Sequence, residues 1–159
     1  MEEKKLAIIA TKGTLDWGYP PFILASTAAA LGYETEIFFT FYGLQLLKKD
    51  LKLEVSPLGN PGMPMPMGMD KWFPVLGTAL PGMQAVMTSM MKKKMASKGV
   101  ASLEELRELS QEADVKLIAC QMTVDLFEMD TSEFLDGVEY AGAARVFEFA
   151  GESDLCLYI

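Results

Sequence analysis

Residues 115–127 read Val115-Lys116-Leu117-Ile118-Ala119-Cys120-Gln121-Met122-Thr123-Val124-Asp125-Leu126-Phe127. The continuous apolar run that ends at Ala119 predicts a parallel strand covered on both faces. The apolar spacing from Met122 onward predicts a helix. Cys120 is therefore expected at a strand-to-helix junction, on the sheet edge where open α/β proteins bind ligands. Because a helix N-terminus stabilises anions and lowers the pKa of a thiol, Cys120 is the candidate nucleophile or sulfur carrier.

Strand-like and helix-like segments alternate along the whole chain. The predicted strands cover residues 6–10, 34–40, 53–55 (the weakest), 117–120, 138–140 and 154–159. The predicted helices cover residues 20–31, 41–50, 83–98, 103–112, 121–129, a short piece around 134, and 141–150. Ser102 and Glu105 give the helix at 103–112 a predicted capping box. This alternation predicts a single domain over residues 1–159, a three-layer α/β/α sandwich with a mainly parallel sheet of about five strands.

The segment from about residue 56 to 82 has a different composition. Its repeated Pro and Gly can form neither a helix nor a central strand, so an inserted loop is expected. The candidate lid or interface residues in it are Met63, Met65, Met67, Met69 and Trp72. Methionine side chains are adaptable apolar surface, which favours a lid or an oligomer contact. Thioethers also bind Cu(I), so copper handling is an alternative.

Charge and composition exclude several classes of function. The chain carries 14 Lys and Arg against 22 Asp and Glu, a formal net charge of −8. This excess of negative charge argues against nucleic acid or anionic lipid as a partner. No apolar run approaches the roughly 18 residues of a membrane span, so a cytoplasmic protein without stable membrane insertion is expected. The absence of histidine excludes Ser-His-Asp and Cys-His catalytic arrangements.

The two cysteines, Cys120 and Cys156, are expected to be free thiols, because they form no C-x-x-C motif in a cytosolic chain. Cys156 lies in the apolar run 155–159 and is predicted to be a buried core residue. The predicted substrate pocket combines two segments on one sheet edge: Thr11, Lys12, Gly13 and Thr14, and then Gln121, Met122 and Thr123. A cation at Lys12 would favour a thiolate, although an ordinary solvated loop fits residues 11–14 equally well.

Three parts of the chain resemble the DsrE/DsrF-like sulfurtransferases, in particular the branch described as peroxiredoxin-like. They are the first strand and its loop (7–14), the Met/Pro/Gly-rich middle with Pro61-Gly62-Met63 and Pro81-Gly82-Met83, and residues 117–127 with their Cys-x-Met-(Ser/Thr) junction. The resemblance covers nearly the whole chain. It implies a DsrEFH-like, flavodoxin-related fold.

The resemblance also implies a function. In such a protein a single cysteine, here Cys120, receives sulfane sulfur as a persulfide and passes it to a thiol on a partner such as a TusA-like carrier. It implies a homo-oligomer in the cytoplasm. Thiol-persulfide exchange needs neither metal nor histidine, so no cofactor is expected. A peroxidase cycle would need a resolving thiol, and a buried Cys156 is unsuited to that role.

A second class of function is compatible with the same residues. The chain would then be a non-catalytic small-molecule or protein-binding module, with the Met-rich loop as its interaction surface and Cys120 as a structural residue. The ionisation of Cys120 distinguishes the two interpretations, because a sulfur carrier needs an accessible thiolate and a structural cysteine does not.

Overall fold

The computed structural model describes residues 4–57 and 80–159. The strands are β1 (Lys5–Ala10), β2 (Glu34–Phe39), β3 (Lys116–Cys120), β4 (Glu139–Ala141) and β5 (Leu155–Tyr158). They form one sheet in the order β4-β3-β2-β1-β5, and every neighbouring pair is parallel. This confirms the predicted α/β fold. The weak strand predicted at 53–55 is wrong, since those residues run outside the sheet and Val55 is buried without pairing as a strand.

The α-helices are α1 (Leu15–Ala30), α2 (Met83–Ser97), α3 (Leu103–Glu112), α4 (Gln121–Leu126) and α5 (Ala143–Ala150). Two 3-10 helices lie at Phe41–Leu47 and Thr131–Glu133. In the part of the chain that is described, no helix combines the length and apolar character needed to cross a membrane. Most of the inserted loop predicted at about 56–82, namely residues 58–79 with the candidates at 63–72, lies outside the described residues.

Side chains that alternate along the strands build a separate apolar cluster on each face of the sheet. On the first face, Ile8 and Phe39 belong to the large core that also contains Phe22 of α1. On the second face, a smaller cluster is formed by Phe38, Ile118 and Cys120, with Ile9, Ala141 and Val146 of α5 packed against it. The helices therefore cover both faces, as the three-layer prediction requires.

Two elements differ from their predicted form. Helix α1 begins at Leu15 and not at Pro20, because the Leu15 N–H bonds the Glu54 carbonyl and the Gly18 N–H bonds Thr14, which starts the helix before the prolines. The segment after β2 is a 3-10 helix and not an α-helix. Its first residue, Phe41, has a φ of 49°, a conformation that a bulky side chain rarely adopts.

A buried guanidinium holds this 3-10 helix in place. Arg107 of α3 donates from Nη1 to the carbonyl oxygens of Leu46 (3.0 Å) and Lys48 (2.6 Å). Its side chain is buried without a carboxylate partner among the described residues, so its charge is compensated by backbone dipoles. The predicted capping box at Ser102 and Glu105 is confirmed and fixes the start of the helix that carries Arg107.

Replacing this guanidinium is expected to destabilise the fold. Arg107→Met leaves one buried and one partly buried carbonyl without a donor, which should lower the free energy of unfolding by about 2 kcal/mol. Urea unfolding followed by circular dichroism measures the change. Lys98→Met, at an exposed position after α2, is the matched control and should stay near the wild-type value. An Arg107→Met protein as stable as this control would contradict the assignment.

Candidate functional site

The register of the sheet determines which residues flank Cys120. Phe39 of β2 pairs with Ala119 of β3, so the next residue, Thr40, lies opposite Cys120. On the other side, Cys120 pairs with Ala141 of β4. The cysteine therefore ends a central strand and faces the second side of the sheet, between a threonine and an alanine.

Two threonine hydroxyl groups form the polar side of the site. Thr123, one turn after Cys120, is fully buried. Its Oγ1 lies 3.2 Å from Oγ1 of Thr40 and accepts a hydrogen bond of 3.3 Å from the Phe41 N–H. This network joins the end of β2 to the first turn of α4 and holds the two hydroxyls together next to the Cys120 sulfur.

These groups favour the ionised form of the thiol. Burial by itself raises the pKa of Cys120, but the hydroxyl and N–H of Thr123, the hydroxyl of Thr40 and the N–H of Met122 outweigh it and lower the pKa below its ordinary value. The Cys120 side chain makes no hydrogen bond that caps α4. The surrounding O–H and N–H groups therefore stabilise a negative charge on the sulfur through their dipoles. The N–H groups are the free donors of the first helical turn, which have no partner within the helix.

Cys120 is more enclosed than the sequence suggests. Only 5% of its surface is exposed, and Phe38, Ile118 and Val146 lie on its apolar side. The expected accessible position is therefore wrong in part: the sulfur lies at the boundary between an apolar cluster and a set of hydrogen-bond donors. Such a position limits contact with water while keeping an anion stabilised.

The other predicted residues of the Cys120 segment lie on its outer side. Met122 is 62% exposed and Leu126 is also exposed, so the apolar stripe of α4 does not face the core. Gln121 is exposed and donates from its amide to Asp125 at 2.7 Å. The residues that α4 buries are Thr123 and Val124. Backbone and hydroxyl donors thus face inward, and Met122 forms part of the surface around the site.

The predicted loop of residues 11–14 emerges at the same sheet edge, with β2 between it and Cys120. Thr11 donates its hydroxyl to the Ile159 carbonyl at 3.0 Å, and the Thr14 hydroxyl lies 3.1 Å from that of Ser56. The Lys12 ammonium lies 3.9 Å from the centre of the Trp17 ring. A Cβ at Gly13 would clash with the Tyr42 carbonyl oxygen, so this glycine permits close packing of two loops. The described contacts of the loop are with these residues and not with the thiol.

The prediction for Cys156 is wrong, because this thiol is exposed. Cys156 lies on β5, an edge strand that pairs with β1 alone. On the second face of the sheet, Val146 of helix α5 packs against Phe38 and Ile118. Among the described residues, the helix leaves Cys156, which lies on that face of β5, uncovered. An apolar run in the sequence could not distinguish an edge strand from a central one.

Thr40 is the functional candidate that sequence reasoning missed. The signal was present, since Thr40 is the last residue of the predicted strand 34–40, as Cys120 is of the predicted strand 117–120. Carboxyl ends of parallel strands meet at one edge of the sheet, but only the register places these two residues opposite each other. Among the described residues, no group of three His, Cys, Asp or Glu side chains is arranged to hold a metal.

Removing the Thr123 hydroxyl is expected to raise the pKa of Cys120. In a Cys156→Ser background, the pH at which alkylation of Cys120 reaches half its maximal rate should shift upward in Thr123→Val, since a hydrogen-bond donor to the thiolate is lost. Thr123→Ser, which keeps the hydroxyl, should restore the wild-type midpoint. Thr35→Val, a buried threonine at the other end of β2, is the control. An unchanged midpoint in Thr123→Val would contradict the role of this hydroxyl.

Comparison with known proteins places the chain in a family. The sequence profile of the DsrE/DsrF/DrsH-like family matches residues 2–158. The protein named sulfur carrier protein DsrE2 of Allochromatium vinosum is 82% identical over 159 residues, which is the full length of both chains. The uncharacterized protein YrkE of Bacillus subtilis is 34% identical over 164 residues, covering 99% of this chain and 98% of its own.

The fold has a counterpart among solved structures. The crystal structure of the YchN protein from E. coli superposes with a TM-score of 0.55 over 98% of this chain and 99% of that one, at 11% identity. At this identity the likeness concerns the fold alone. Because the family profile and the Allochromatium vinosum relative both match nearly its entire length, the chain belongs to the DsrE/DsrF/DrsH-like family.

Proposed function

We propose that this protein is a sulfur-relay protein that carries sulfane sulfur as a persulfide on Cys120 and transfers it to a thiol of a partner protein. The observation that carries the proposal is the position of Cys120 between the end of β3 and the first turn of α4, beside the paired hydroxyls of Thr40 and Thr123. These groups and the N–H groups of that turn lower the pKa of Cys120 in a chain without histidine. The name of the Allochromatium vinosum relative, a sulfur carrier, supports the same role.

The transfer proceeds by two exchanges that leave the total oxidation state unchanged. First, the Cys120 thiolate attacks the outer sulfur of a persulfide donor; a new S–S bond forms, the donor S–S bond breaks and the donor leaves as a thiolate. Next, the partner thiolate attacks the outer sulfur on Cys120. That S–S bond breaks, Cys120 returns to a thiolate and the partner leaves as a persulfide. Neither step consumes an oxidant, a reductant or a metal.

The donors around Cys120 act in both steps. In the resting state they stabilise the attacking thiolate, and after the second exchange they stabilise Cys120 as the leaving group. The apolar neighbours Phe38, Ile118 and Val146 restrict water and small nucleophiles that would otherwise discharge the persulfide. The partner is a carrier of the TusA-like kind, the assembly is a homo-oligomer, and the site of action is the cytoplasm; these three points are part of the proposal.

An internal disulfide cycle does not suit this architecture. Cys120 lies on β3 and Cys156 on β5, with β2 and β1 between them. The two cysteines are therefore three strand spacings apart, a distance of about 14 Å across the sheet. Disulfides require Cα atoms within about 7 Å, so Cys156 cannot resolve an oxidised Cys120 of the same chain without a large rearrangement. Exchange with a thiol from another molecule is therefore the favoured chemistry.

Loading of a single sulfur atom on Cys120 is the expected result. Incubation with a stoichiometric persulfide donor, followed by intact-mass analysis and peptide mapping, should give a one-sulfur adduct on Cys120 in both wild type and Cys156→Ser. Subsequent addition of an acceptor thiol should remove it. Cys120→Ser keeps the exposed Cys156 and is the matched control. An equal and equally transferable adduct in Cys120→Ser would contradict the proposal.

A further inference from the structure

A groove opens beside the Cys120 helix, between the 3-10 helix Phe41–Leu47 and the chain that follows α4. Its volume is about 440 Å³, and Tyr42, Phe127 and Met129 supply its apolar lining. The Tyr42 ring, 65% exposed, stacks on that of Phe127 with the ring centres 5.9 Å apart and the planes 23° from parallel. The two partly exposed rings together offer an aromatic surface to another molecule, called here the aromatic platform.

The groove is connected to the thiol through short contacts. Phe41 packs edge-on against Phe127, with 6.2 Å between ring centres. The N–H of Phe41 donates to Thr123, which lowers the pKa of Cys120. The groove therefore adjoins the donor set of the site, and a molecule lying in it would come close to the exposed Met122 surface of α4.

The rim of the groove is acidic. Glu128, Asp130 and Glu133 line it against a single cation, Lys48, whose ammonium is already paired with Glu133 at 2.9 Å. Within residues 4–57 and 80–159, no Lys or Arg forms an ion pair with Glu128 or Asp130. Asp130 accepts the Ser132 N–H at 2.9 Å as a helix cap, but its negative charge and that of Glu128 are not paired with a cation among these residues. Two such carboxylates beside the aromatic platform fit a lysine or arginine side chain of another molecule.

Backbone strain occurs at both walls of the groove. Within the described residues, the non-glycine residues with positive φ are Phe41, Asp114 and Glu128, and two of these three flank this groove. Glu128 occupies the left-handed position after α4 that usually holds glycine, where a side chain costs about 1 kcal/mol. A carboxylate retained in a strained position is consistent with a role in recognition.

We propose that the groove docks the sulfur-accepting partner through a Lys or Arg side chain on an apolar contact face. The rings of Tyr42 and Phe127 contact the alkyl chain and the cationic group of that side chain. Glu128 and Asp130 form ion pairs with the cation. This inference rests on the proposed function, since it takes the occupant to be the partner whose thiol reaches Cys120. The groove supplies carboxylates and one lysine that is already paired with Glu133, so it lacks the free cation that pairing with acidic residues of a second copy would need.

Direct binding tests the groove without any sulfur chemistry. Two fluorescent peptides contain the same apolar residues, with serine in place of cysteine; one has two arginines and the other has two glutamates at the same positions. Anisotropy titration at low salt should give a measurable affinity for the arginine peptide. Glu128→Gln combined with Asp130→Asn should weaken that affinity about fivefold, and Tyr42→Leu about threefold.

A second pair of carboxylates controls for overall charge. Glu54→Gln combined with Glu148→Gln removes the same charge from two exposed positions that do not line the groove and should leave the affinity unchanged. An equal loss in this control, the same affinity for both peptides, or no detectable binding would overturn the proposal. So would a change of oligomeric state in Glu128→Lys, which would assign the groove to a second copy. Because the peptides lack a thiol, these outcomes are independent of whether Cys120 accepts sulfur.

Discussion

The pairing of β2 with β3 is the constraint on which the site depends. It sets Thr40 opposite Cys120, and the hydroxyl of Thr123 then bridges Thr40 and the Phe41 N–H. A shift of one residue would turn Thr40 to the opposite face of the sheet. The register is fixed by the buried alternation of Phe38 and Phe39, because either side chain would meet the wrong face after such a shift. The large core therefore positions the chemistry although none of its side chains takes part in it.

Cys120 is buried and its thiolate is still stabilised, because apolar residues lie on one side of the sulfur and hydrogen-bond donors on the other. The apolar cluster excludes water, which alone would raise the pKa, and the hydroxyl and N–H donors act strongly because the surroundings are of low polarity. Because folding lowers the pKa of Cys120, ionisation of this thiol adds to the free energy of unfolding at any pH above the pKa of the unfolded chain. That contribution is lost as the pH falls through the pKa of the folded state. Residues that appear structural, such as Arg107, support the site by fixing the 3-10 helix that begins beside Thr40.

The sequence predicts the fold better than it predicts the site. The apolar run 117–119 and the capping box at Ser102 are local signals, and both are confirmed. Thr40 depends on the register between strands 77 residues apart in sequence, from Phe39 to Lys116, which no local pattern contains. The exposure of Cys156 and Met122 depends on which side of a strand or helix is left uncovered. The start of α1 depends on a hydrogen bond that the Leu15 N–H donates to the carbonyl of Glu54, a distant residue that periodicity cannot identify.

The most direct test of this account is a titration of the Cys120 thiol itself. The ¹³Cβ chemical shift of Cys120 in the wild-type protein, followed against pH by NMR, reports its ionisation without any substitution or reagent. The account predicts a midpoint below that of the same cysteine in the urea-unfolded chain. A midpoint equal to or above the unfolded value would mean that burial outweighs the donors, and the description of Cys120 as a stabilised sulfur anion would be incorrect.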